Sequence, residues 1–152
     1  MLREAPPGVV FDLDAQVRVT PFAVPHRDED SDTVALKIEG GRHTLVYAPD
    51  TDTWATWSAS AREALDECDT ALVDGTFFAA DELPGRDVGS IGHPLIGATM
   101  DLFSEHVRSG RLRVLFTHIN HSNHALEPYG PERRAIENRG FALAEDGERL
   151  PL

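Results

Sequence analysis

The order in which short apolar runs alternate with helical stripes constrains this chain more than any other feature. Residues 33–39 and 43–48 are rich in Val, Ile, Leu and Tyr and flank Gly40-Gly41, which predicts two strands joined by a tight hairpin. Residues 17–24 predict an earlier strand, and Pro21 within it favours an edge position because proline lacks the amide a central strand needs. Ala61, Ala64, Leu65 and Cys68 recur at i, i+3, i+4, i+7, so a helix is expected to open near Ser58 or Ser60. Residues 70–74 form a short continuous apolar run of the kind found in buried parallel strands. Leu95, Ala98, Leu102, Phe103 and Val107 predict a second helix, with Pro94 in its first turn and Gly110 at its end. Residues 112–116 predict the next strand, and residues 131–137 a short helix stopped by Gly140. Residues 141–144 and 149–150 flank a polar turn and predict a closing hairpin. A hairpin followed by β-α-β-α-β is the pattern of a layered α/β domain, with a mixed sheet covered by helices. The expected division is a leader or linker over residues 1–16 and a single domain over 17–152.

Composition narrows the function. A chain of 152 residues is long enough to bury a core. It has no run of about 18 apolar residues to cross a bilayer, and residues 1–8 lack the apolar segment of a signal peptide. The single cysteine excludes a disulfide within the chain and a cysteine-based zinc site, and fits a reducing cytoplasm. The net charge of -12 argues against nucleic acid and anionic membrane as partners, since both demand clustered Lys and Arg.

Polar clusters stand where strands should end, and in α/β sheets ligands gather at those ends. His26 follows the first strand, Asp50 and Asp52 follow the hairpin, and Asp74 closes the next strand. His118 opens the histidine-rich run H-I-N-H-S-N-H after the strand at 112–116. His26, Asp50 and His118 together offer nitrogen and oxygen ligands suited to a divalent metal, zinc or non-haem iron. Solvated strand ends carry the same residue types, and Asp74 before Gly75-Thr76 also reads as a turn cap bonded to its own backbone. His118, next to a core strand, is expected to face the site, with His121 and His124 further out. Asn120 and Asn123 can satisfy backbone groups of that loop. Trp54 and Trp57 read as packing residues, and Cys68 as a small core residue.

The strings T-P-F-A-V-P-H, L-V-Y-A-P-D-T-D, L-V-D-G-T-F-F-A-A-D-E-L, G-R-D-V-G-S-I-G-H-P and F-T-H-I-N-H-S-N, in that order, resemble the C-terminal half of metallo-β-lactamase superfamily proteins. Within the superfamily they are most similar to the family of coenzyme PQQ synthesis protein B. The resemblance runs from about residue 17 to the end. It implies an αββα sandwich, of which this chain would supply half, and a metal site at the sheet edge held by His26, Asp50 and His118. Of these, Asp50 and His118 would serve the chemistry. Arg86, Asp87 and His93 match a loop of that family, and with Asn120 they are expected to bind a small-molecule substrate. The implied reaction is an iron- and oxygen-dependent hydroxylation of a tyrosine-derived intermediate.

The superfamily's N-terminal H-x-H-x-D-H motif is absent from this sequence. A second copy or a partner chain is therefore expected to supply the other half. Metal-dependent hydrolysis of an ester or phosphodiester, and a non-catalytic binding or assembly role, stand as alternatives to oxidation.

Overall fold

The computed structural model describes residues 4–26, 32–82, 85 and 92–152, and joins the hairpin and the alternating units in one mixed sheet. Seven strands lie side by side in chain order: β1 (Phe11–Asp12), β2 (Arg18–Ala23), β3 (Val34–Glu39), β4 (Thr44–Ala48), β5 (Thr70–Asp74), β6 (Arg113–Thr117) and β7 (Ala142–Leu143). Strands β1 to β4 pair antiparallel and β4 to β7 pair parallel. The change at β4 follows from connection length. The Gly40-Gly41 turn folds β3 straight back on β4, whereas the longer segments after β4, β5 and β6 allow helical crossovers.

Those crossovers carry α1 (Ala59–Asp66), α2 (Ile96–Arg108) and α3 (Pro131–Asn138). Right-handed connections between strands laid down in order put successive helices on the same side of a sheet. Ala61, Ala64 and Leu65 of α1, Ile96, Met100 and Phe103 of α2, and Ile136 of α3 share one buried cluster with Ala35, Val46, Ala48, Ala71, Val73, Val114 and Phe116 of the strands. Alanines at 35, 48 and 71 let helices approach the sheet closely. Each fully buried large side chain, such as Ile96 or Ile136, contributes roughly 1.5–3 kcal/mol of transfer free energy. Cys68 belongs to this cluster, and burial pushes its thiol pKa up to about 12. The opposite face carries the register row Pro21, Leu36, Tyr47, Leu72, Leu115 and Ala142.

Three expectations need revision. Helix α2 starts at Ile96, so Pro94 precedes it instead of lying in its first turn. Leu95 is held extended by a parallel bridge to Phe77, and the Ile96 amide donates to the Phe77 carbonyl at 2.9 Å. The closing hairpin does not form among the described residues. Residues 142–143 instead pair with the free parallel edge of β6, and the return segment is held by the Arg113–Glu148 ion pair. Residues 11–12, within the presumed leader, form β1 and pair with β2. That pairing leaves β2 between β1 and β3 instead of at the edge expected from Pro21, which lies beyond the two-residue ladder to β1 with its carbonyl accepting from the Gly8 amide at 2.7 Å.

Candidate metal centre

Strand direction explains why distant residues meet. β3 runs against both β2 and β4, so β2 points the same way as β4, β5 and β6. The carboxyl ends of these four strands share one edge of the sheet. His26 and Asp50 follow β2 and β4, Asp74 ends β5, and His118 follows β6. The loops after β2 and β4 are tied together: the Pro25 carbonyl accepts from the Asp52 amide at 2.6 Å and from the Thr51 hydroxyl at 3.2 Å. His93 arrives from a different direction, on the segment leading into α2. Gly92 makes that approach possible, with φ of +80°, because a Cβ there would stand 2.8 Å from Asp52 Oδ1.

Asp50, Asp74, His93 and His118 each offer a ligand atom, all within 4.8 Å of one another. His26 lies beside this group, its Nε2 3.5 Å from Asp50 Oδ2. The rings of His26 and His118 flank that of His93, with centroids 6.0 and 5.7 Å away. Of the residues expected at the metal, His26, Asp50 and His118 are thus gathered at one edge, and His93, expected at the substrate, sits among them.

Proximity alone would count Asp74 as a ligand, but its hydrogen bonds argue for another role. Oδ1 accepts from the Thr76 amide at 2.9 Å and the Thr76 hydroxyl at 2.7 Å. Oδ2 accepts from the Thr51 amide at 3.2 Å and faces His93 Nδ1 at 2.7 Å. A carboxylate has about four lone-pair sites, and here all are occupied while the side chain is fully buried. Asp74 is therefore an orienting group: it caps the turn after β5, as its sequence context suggests, and it also holds His93. That hydrogen bond, aided by the charges of Asp74, Asp50 and Asp52 and opposed by burial, raises the His93 pKa above 6.5.

Asp50 is open where Asp74 is saturated. Asp50 Oδ1 and His26 Nδ1 are buried without any hydrogen-bond partner. A buried carboxylate oxygen left unpaired costs free energy unless something binds it. With imidazole nitrogens beside it, the missing partner fits a divalent cation with nitrogen and oxygen ligands. His118 has φ of +57°, the sole non-glycine residue with positive φ among the described residues. Such backbone strain persists where surrounding contacts over-determine it, often at functional positions. Gly75 permits the tight packing beneath: a Cβ there would meet Phe116 Cβ and Ile119 Cδ1, each at 2.7 Å.

The remaining expectations divide. His121 and His124 are exposed, away from the four-residue group. Asn120 Nδ2 donates to Ser122 Oγ at 2.7 Å, so its side chain bonds within its own loop. Arg86 and Asp87 lie outside the described residues. Asn123 is buried, its Nδ2 reaching the Gly75 and Thr76 carbonyls at 2.9 and 3.2 Å and its Oδ1 accepting from the Ala125 amide. Thr76 was not singled out in the sequence; its signal is an Asp two positions before a Thr at a strand end, the spacing of an Asx turn.

A family model for the β-lactamase superfamily domain matches residues 1–119. Coenzyme PQQ synthesis protein B of Xanthomonas campestris pv. campestris is 26% identical over 155 residues, spanning 90% of this chain and 51% of that protein. The protein of the same name from Azotobacter vinelandii is 32% identical over 140 residues, spanning 84% of this chain and 44% of its own length. The chain therefore spans about half the length of the curated relatives it matches. Among solved structures, zinc-bound PqqB from Methylobacterium extorquens superposes with a TM-score of 0.77 at 24% identity, covering 96% of this chain and 54% of that one. The metallo-β-lactamase fold protein YhfI from Bacillus subtilis superposes at 0.56 with 16% identity, covering 91% and 50%. A mixed sheet with helices on one face, its strand ends gathering histidines and aspartates, and a matching family model over most of the chain together establish that this chain belongs to the β-lactamase superfamily domain family.

Proposed function

We propose that the chain holds a divalent metal through His26, Asp50 and His118 and takes part in oxidising a small amino-acid-derived molecule, in the manner of the PQQ synthesis proteins it resembles. The observation that carries this reading is the buried, unpartnered Asp50 Oδ1 beside the histidine rings. When bound, the ion supplies Lewis acidity and, if it is iron, one-electron chemistry. The chain's own residues hold and orient it. His93 donates from Nδ1 to Asp74 Oδ2, which leaves Nε2 as the atom that gives or takes a proton. Because Asp74 is held in place by Thr51 and Thr76, it fixes the orientation of the His93 ring while Nε2 gives or takes the proton. Arg86 and Asp87 are the charged groups proposed to orient substrate.

The Asp74–His93 pair equally favours a hydrolytic reading, in which His93 protonates the leaving group of an ester. Turnover of model esters by zinc-loaded protein, without oxygen consumption by iron-loaded protein, would favour it.

The decisive measurement is the metal content of protein purified without chelator. Stoichiometric iron or zinc is expected, falling sharply in His118→Ala and Asp50→Ala but little in His121→Ala or His124→Ala. Metal-free wild type, or equal small losses across all four variants, would instead mark a non-catalytic binding subunit.

A further inference from the structure

Thr76 places a hydroxyl between Asp74, His93 and His118, and it is 7% exposed. Its Oγ1 stands 2.7 Å from Asp74 Oδ1, 3.1 Å from His118 Nδ1, 3.1 Å from the His118 carbonyl and 3.2 Å from His93 Nδ1. A threonine has a single proton to give and two lone pairs to receive with, so these contacts cannot all be donations. The ionised carboxylate at the shortest distance takes the proton, because charge-assisted hydrogen bonds are the strong ones. The His118 carbonyl takes at most the longer branch of that donation. Thr76 Oγ1 is then an acceptor toward the imidazoles.

The two rings part company here. His93 Nδ1 has a better acceptor in Asp74 Oδ2, at 2.7 Å. His118 Nδ1 lies 3.9 Å from that same oxygen, beyond hydrogen-bond reach, and its acceptor is the Thr76 hydroxyl. A proton on His118 Nδ1 leaves the lone pair on Nε2.

We propose that Thr76 is a positioning residue that relays the Asp74 charge to His118, fixing its neutral ring as the Nδ1–H tautomer and leaving Nε2 as the nitrogen with a lone pair for a metal. The same hydroxyl sits against the His118 carbonyl, so it braces both the ring and the strained backbone that carries it. The strand-end aspartate thus reaches two imidazoles, His93 directly and His118 through Thr76. The presentation of Nε2 to a metal rests on the function proposed above, whereas the tautomer does not.

The test uses histidine-labelled, metal-free protein at a pH where the rings are neutral, with 1H–15N correlations reporting which nitrogen carries the proton. His118→Gln identifies the His118 signals. The expected result is the Nδ1–H form for His118 in wild type and in Thr76→Ser, and a shift toward the Nε2–H form in Thr76→Val, which keeps the shape but removes the hydroxyl. A purely structural role for Thr76 would change thermal stability without moving this signature. Zinc affinity, read by competition with a chromophoric chelator, is expected to fall by roughly tenfold or more in Thr76→Val and to recover in Thr76→Ser. An Nε2–H ring for His118 in wild type overturns the assignment, whether or not zinc binds and whether or not Thr76→Val folds. Equal, measurable zinc affinity in wild type and Thr76→Val overturns the role of Thr76 in preparing His118 for a metal. The Nδ1–H form in a wild type that binds no zinc upholds the tautomer assignment and sinks the metal reading instead.

Discussion

A carboxylate surrounded by four donors holds its charge in one place, and every neighbour is set by it. Thr51 and Thr76 fix Asp74 through backbone amides from two different loops, so its position is determined by the ends of β4 and β5 together. Asparagine in its place would point an amide N–H₂ at groups that are themselves donors. Asp74→Asn is expected to cost about 3–5 kcal/mol, the range for breaking a buried charge network, read as a lower urea midpoint with an unchanged slope. It would also remove the largest cause of the raised His93 pKa, so the His93 ring should titrate at lower pH. A change under about 0.5 kcal/mol, the scale of ordinary surface substitutions, would show that Asp74 is not the organising charge. The sequence exposed only the cap half of this role. Asp before Gly-Thr announces a turn by local chemistry, but the bond to His93 spans 19 residues and depends on the course of the loop between them.

Elements were legible where a period or a turn residue is written into the chain. The α1 stripe of Ala61, Ala64 and Leu65 is buried as its spacing requires, and Ser58 Oγ caps the helix by accepting from the Ala61 amide at 3.2 Å. Strand β5 was legible because a five-residue apolar run is too short for a buried helix. The start of α2 was not, because the bridge from Leu95 to Phe77 is tertiary and overrides the usual preference of Pro94 for a first turn. The closing hairpin failed for a related reason: a two-residue strand takes whichever edge is free, and β6 offered one. The histidine loop after β6 depends on a tie of the same long-range kind. Asn123 pins it to the end of β5 by bonding the Gly75 and Thr76 carbonyls. Asn123→Ala would leave both without that donor and release the Ala125 amide, at a cost of about 1–3 kcal/mol. Hydrogen exchange should show the Ala125 and Leu126 amides losing protection while β4 and β5 keep theirs; uniform loss across the sheet would mean the tie supports the whole fold instead of the loop.

At the scale of the molecule, the two faces of the sheet are unequal. The helices bury one, while the other carries Pro21, Leu36, Tyr47, Leu72, Leu115 and Ala142 in register, an apolar row in which Pro21 and Leu115 are already covered by this chain and Leu36, Tyr47, Leu72 and Ala142 keep exposed surface. Tyr47 is 38% exposed at the middle of that row. Half-solvated sheets alternate apolar and polar sides; on this face Arg113, paired with Glu148, is charged, while the row beside it is apolar. A net charge of -12 opposes bringing two copies together, yet the row itself is uncharged, so the repulsion comes from elsewhere on the surface and is screened by salt. We propose that in purified protein this face pairs with that of a second copy, forming a sandwich of two sheets in place of the one implied for a longer chain. Light scattering should then report a dimer whose dissociation constant falls as sodium chloride is raised from low to physiological concentration. Tyr47→Lys should shift the equilibrium toward monomer without lowering the thermal midpoint of the monomer itself. A monomer at high micromolar concentration and physiological salt, or a dimer indifferent to Tyr47→Lys, would show that this row is not the self-association surface.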